Sequence, residues 1–72
     1  MNRYFWLLSR FISDDQSRED RQAVYDRART ALLDQLEAEP NGALADFERL
    51  SFEEAVRTVE AGVARWGRPE NA

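Results

Sequence analysis

An all-α fold is predicted for this chain of 72 residues by three observations. Apolar residues recur at helical spacing in three separate segments. Capping and turn residues occupy the breaks between those segments. The length allows one domain at most, residues 1–72, with a small core. The predicted architecture is an antiparallel helical hairpin, about residues 18–38 and 43–66, joined to a short amphipathic helix at about 2–12. Chains this small recover stability from disulfides, metals or oligomers. Cysteine and histidine are both absent, so oligomerisation is the route left, and the bundle is expected to be completed on dimerisation.

The first helix is read from Met1, Tyr4, Phe5, Leu8, Phe11 and Ile12, which follow the i, i+3, i+4, i+7 rule of one face. Trp6 and Leu7 widen that face, and half of the chain's aromatic residues fall in this stretch. Residues 13–17 form a polar break with two competing caps: Ser13 with Gln16, and Ser17 with Asp20. The nearby Asp14, Asp15, Glu19 and Asp20 suit a positive helix N-terminus, and their spacing matches no calcium loop.

The second helix carries Val24, Tyr25, Ala28, Ala31, Leu32 and Leu36 on its seam, with Gln35 the polar exception and Leu33 to one side. Glu39-Pro40-Asn41-Gly42 ends it, because proline restricts the residue before it and Asn-Gly takes turn conformations readily. Asp34, Glu37 and Glu39 crowd its C-terminal end, where carboxylates oppose the helix dipole. They are read as a water-screened face, with neutralisation by a partner's arginine as the alternative.

The third helix has Phe52, Ala55, Val56, Val59, Val63 and Trp66 on its seam, with Leu44, Phe47 and Leu50 extending the apolar surface. Ser51 with Glu54 offers an internal capping box, but no glycine or proline interrupts the segment, so a continuous helix is expected. Gly67 and Pro69 form a helix stop, and residues 67–72 are a tail. Each hairpin helix is about 30–35 Å long at 1.5 Å per residue, and the short turn makes them antiparallel. Asp14–Arg18, Arg49–Glu53 and Glu53–Arg57 stand at the spacing of helix-surface ion pairs. A mid-helix glycine costs about 1 kcal/mol against alanine, so Gly62 is read as a site of close helix approach, with Ala28, Ala31 and Ala55 as the other small residues.

Two stretches, Tyr25-Asp26-Arg27-Ala28-Arg29-Thr30-Ala31-Leu32-Leu33-Asp34-Gln35-Leu36 and Glu48-Arg49-Leu50-Ser51-Phe52-Glu53-Glu54-Ala55-Val56-Arg57-Thr58-Val59-Glu60-Ala61, lie either side of the turn. Together the hairpin resembles a recurrent helical-hairpin segment of uncharacterised alphaproteobacterial proteins. That pattern has a longer proline-containing loop and aliphatic residues where Phe52 and Val56 stand. The resemblance implies a bacterial source and the hairpin, and carries no activity. The aromatic segment 1–12 lies outside it.

The residue inventory argues against catalysis. All ten basic residues are arginine, so there is no Schiff-base or phosphate-loop lysine, and no histidine or cysteine to act as base, nucleophile or metal ligand. Gly42, Gly62 and Gly67 are isolated and build no phosphate-binding loop. No enzymatic activity, cofactor, metal site or small-molecule substrate is expected. A net charge of −4 argues against nucleic acid, which requires a basic face. No stretch reaches the roughly 18 apolar residues of a spanning helix, and the N-terminus carries no cleavage signal. A cytoplasmic protein is expected, with attachment to the inner membrane surface as an alternative.

The function read from these features is a protein–protein interaction or assembly module acting through apolar helix faces. Its expected partner is a second copy or another helical protein. Tyr4, Phe5, Trp6, Leu8, Phe11, Phe52, Val59 and Trp66 are its candidate partner-binding or bundle-core residues. One alternative is a membrane adaptor anchored by residues 1–12, whose Arg3 and Arg10 flank the aromatics. Another is an acidic regulator that occupies a basic surface on its partner.

Overall fold

The computed structural model describes residues 2–13 and 15–66, the side chain of Trp66 excepted. It contains α1 (Arg3–Ser9), α2 (Arg18–Glu37) and α3 (Gly42–Trp66), and the described residues include no strand. The predicted tail, the Gly67–Pro69 stop, Met1 and the Asp14–Arg18 pair lie outside the described residues. Among the described residues, no helix is long and apolar enough to cross a membrane.

Local chemistry fixes each helix start. Asn2 caps α1 by accepting the Tyr4 amide at 2.9 Å, and its Nδ2 donates to the Ser51 carbonyl of α3 at 2.5 Å. One side chain therefore both starts the helix and ties it to the hairpin. The α1 helix ends at Ser9, short of the predicted Ile12, and tightens into i→i+3 bonds from the Arg10 and Phe11 amides to Leu7 and Leu8. Of the two competing caps after it, Ser17 with Asp20 forms the reciprocal capping box of α2. Ser13 instead takes part in a local turn with Gln16.

Asn41 begins α3, its side-chain oxygen accepting the amides of Ala43 and Leu44. The Asn-Gly pair predicted as turn is thus an N-cap followed by the first helical residue. Glu39 accepts the Asn41 amide, so one of the crowded carboxylates stabilises the connection. No break occurs at Ser51: α3 is continuous, as expected from its uninterrupted composition.

Three elements share one core. Leu8 of α1, Tyr25 and Leu32 of α2, and Phe52, Ala55 and Val59 of α3 are buried, with Tyr4, Phe5, Ile12, Ala28, Leu36, Val56 and Val63 packed around them. Thus α1 supplies the third layer that a two-helix hairpin lacks. It packs mainly on α3, which also packs against α2. The Tyr4 ring meets Phe52 edge-on at 5.8 Å. The outline is elongated, 48 × 22 × 15 Å.

Two small-residue expectations fail. Gly62 is not a point of close approach: a Cβ added there would meet nothing within 4 Å. Ala31 is exposed rather than packed against α3. The helices are spaced by the bulk of Tyr25, Leu32 and Phe52, so small residues are not needed along the whole seam. Ala55 is buried and Ala28 half-buried, as close packing requires.

Candidate interaction surfaces

Carboxylates of α3 lock the three helices together. Glu60 receives two bonds from the Arg21 guanidinium, at 2.9 and 3.3 Å, and one from the Tyr25 hydroxyl at 2.5 Å. Glu53 receives a matching fork from Arg29, at 2.7 and 3.0 Å. Glu48 accepts from the Tyr4 hydroxyl at 2.5 Å and from Arg3 at 2.9 Å. Forked arginine–carboxylate bonds combine charge with fixed geometry. As residue numbers rise from Arg21 to Arg29 on α2, partner numbers fall from Glu60 to Glu53 on α3, which is the register of an antiparallel pair.

These pairs replace the surface ladder predicted from spacing. Glu53 reaches across to Arg29 rather than along its own helix, and Arg49 pairs with Asp46. Burial opposes ionisation of Glu60, but the bonds from Arg21 and Tyr25 outweigh it and hold the carboxyl below the usual range. Burial, then the bond to Glu60, pushes the Tyr25 hydroxyl well above its ordinary value. The Tyr4 bond, aided by Arg3 against burial, likewise lowers Glu48. The pairs tie α3 to its two neighbours, and those of Arg29 with Glu53 and Arg3 with Glu48 border open surface clefts.

The candidate residues divide into three groups. Leu8, Phe52 and Val59 are buried in the chain's own core, so they are bundle residues and offer no free surface. Tyr4 and Phe5 are half-buried against that core. Trp6 and Phe11 remain 59 % and 60 % exposed. Trp66 ends α3, and its side chain lies outside the described residues.

A second exposed apolar set lies on the hairpin. Phe47 and Leu50 are 64 % and 68 % exposed on α3, with Leu44 beside them and Leu33 on α2. Leu33 and Leu50 border a groove of about 510 Å³ between α2 and α3, floored by Leu32 and Phe52 and rimmed by Arg29, Asp46, Arg49 and Glu53. On the opposite flank, Phe47 overlooks a more polar cleft with Asn2, Arg3, Tyr4, Glu48, Ser51 and Glu54. Sequence reasoning placed Phe47 and Leu50 beside the seam without assigning them a partner. Their helical phase, nearly opposite Phe52 and Val59, was the available signal.

Among the described residues, no group of three or more acidic, histidine or cysteine side chains is placed to hold a metal ion. No protein-family model, curated protein or solved structure matches the chain.

Proposed function

We propose that the chain is a non-catalytic protein–protein interaction or assembly module working through apolar helix faces. The observation that carries this reading is the set of large apolar side chains left on the surface of an already complete core: Trp6, Phe11, Phe47 and Leu50. Scattered single exposures are ordinary, but contiguous apolar surface marks an interaction face, and Leu50 stands with the exposed Leu33 on the border of one groove. The missing histidine, lysine and cysteine support the non-catalytic part.

The test joins light scattering after size exclusion with affinity co-purification of the full chain. Expected is a self-complex, or a retained partner, that a folded Leu50→Glu or Trp6→Glu variant loses. A chain that stays monomeric at millimolar concentration, and retains no more than those variants do, would sink the proposal.

One observation favours a second reading, attachment to a membrane surface. Trp6, Leu7 and Phe11 are exposed on the outward side of α1 and its C-terminal turn, beside the exposed Arg3 and Arg10. Flotation with anionic vesicles decides it: a Trp6→Ala/Phe11→Ala chain that floats as well as the wild type rules the attachment out.

A further inference from the structure

We infer that Asn41-Gly42 is a self-modification site, at which Asn41 deamidates through the Gly42 nitrogen whenever the first turn of α3 opens. The inference is independent of the interaction-module reading. Asparagine is a thermolabile residue, and it is most vulnerable where the next residue has no side chain to crowd the main-chain nitrogen. Gly42 is such a residue, and a Cβ added there would meet nothing within 4 Å, so no neighbour shields it. Residues 40–44 are all exposed, so solvent reaches both reacting groups.

In the reaction, hydroxide takes the proton of the Gly42 amide and the nitrogen attacks Cγ of Asn41. The N–Cγ bond forms and the Cγ–Nδ2 bond breaks. Nδ2 takes a proton from water and leaves as ammonia, and a succinimide ring remains. Water then opens the ring at Cγ, giving aspartate, or at the Asn41 main-chain carbonyl, giving isoaspartate.

The fold restrains the first step. The Asn41 side-chain oxygen is held by the amides of Ala43 at 3.0 Å and Leu44 at 3.1 Å. Its main-chain carbonyl accepts the Ala45 amide at 3.0 Å, and its amide donates to Glu39 at 3.2 Å. Ring closure turns the side chain back onto the Gly42 nitrogen, which the cap bonds oppose. Helix ends open locally at small cost, however, and a glycine in the first turn adds backbone freedom to the open state. The two products differ in effect. Aspartate keeps an oxygen at the cap and adds a charge that suits a helix N-terminus. Isoaspartate threads an extra methylene into the main chain and destroys the cap geometry.

The test incubates the full chain in mildly alkaline buffer, with and without denaturing urea, and follows residue 41 by mass spectrometry. Cleavage at arginine isolates residues 30–49, in which Asn41 is the one asparagine. Conversion to aspartate and isoaspartate is expected in both conditions, about 5–30-fold slower in the folded chain, the ratio that the cap supplies. Ala43→Gly, which loosens the first turn and leaves both reacting residues in place, is expected to raise the folded rate about fivefold and leave the rate in urea unchanged. Gly42→Ala is expected to slow the reaction in urea at least about tenfold, by crowding the nitrogen. The isoaspartate form is expected to melt several degrees lower than the unmodified chain, whereas Asn41→Asp keeps the wild-type midpoint. No conversion at residue 41 in either condition overturns the site. Equal rates in the two conditions overturn the restraint by the cap. Conversion confined to urea overturns opening of the first turn as the gate, since the whole chain would then have to unfold.

Discussion

Leu50 and Phe52 are two positions apart on α3, both large and apolar, and their surroundings are opposite. Phe52 is 2 % exposed, between the Tyr4 ring and the Arg29 guanidinium, whereas Leu50 is 68 % exposed. Two residues turn a helix by about 200°, so neighbours in sequence point to opposite sides. The inner side of α3 is closed by α1 and α2 and bordered by Glu48, Glu53 and Glu60, each tied to another helix. The outer side carries Phe47 and Leu50, and among the described residues no helix lies over them. Hydrophobicity alone does not separate a core residue from a partner-facing one; its phase relative to the packed neighbours does.

The widest gap between the two sides is expected in stability. Phe52→Ala removes a buried aromatic from the centre of the three-helix contact and is expected to cost about 3–5 kcal/mol. That is a large share of what a small domain possesses, so the variant is expected to be largely unfolded at room temperature. Leu50→Ala is expected to change the stability of the isolated monomer by no more than about 0.5 kcal/mol. Urea titration followed by circular dichroism, at concentrations too low for association, measures both. Equal losses would show that the outer side of α3 is also packed within the monomer.

The polar border of the inner side sharpens the comparison through pH. Glu60 and Glu48 are held below the ordinary value of 4.5, so the unfolded chain binds their protons more readily than the folded one. Their stabilisation is complete above that value and is lost as pH falls through the lower folded values. Tyr25 is raised from 10.0, so its contribution is complete below that pH and is lost as pH rises further. The urea midpoint should therefore decline on both flanks. Glu60→Gln is expected to cost about 1.5–3 kcal/mol near neutrality, the range for bonds to a charged group, and to flatten the acid flank. An acid flank as steep as wild type in that variant would assign the pH dependence to other carboxylates.

Much of this arrangement was legible in the sequence. Helical periodicity located all three elements, and the seam of Phe52, Ala55 and Val59 is the observed inner side. The capping box at Ser17 was one of two readings, and only its reciprocal bonds to Asp20 single it out. The cross-helix pairs were missed because spacing along one helix reveals only partners on that helix. Yet Arg21, Tyr25 and Arg29 recur every four residues, and Glu53 and Glu60 are seven apart. Two opposite stripes facing across an antiparallel turn were the available signal. Assigning Leu8 and Val59 to a partner or to the chain's own core required knowing that α1 folds back, which no local pattern states.

The smallest effect tests the failed expectation at Gly62, towards the C-terminal end of α3 and outside the tightly packed seam. If the helices met closely there, a methyl group would collide and destabilise the fold. The added Cβ instead meets nothing within 4 Å, and no glycine among the described residues has a positive φ that an alanine would strain. What remains is the backbone entropy that glycine surrenders in a helix. Gly62→Ala is therefore expected to stabilise the monomer by about 0.5–1 kcal/mol, raising the thermal midpoint by a few degrees for a chain of this size. A lower midpoint would restore close approach at Gly62 and place a packed surface there, within this chain or against a second copy. A second copy is distinguished by a midpoint loss that disappears on dilution, since only association depends on concentration.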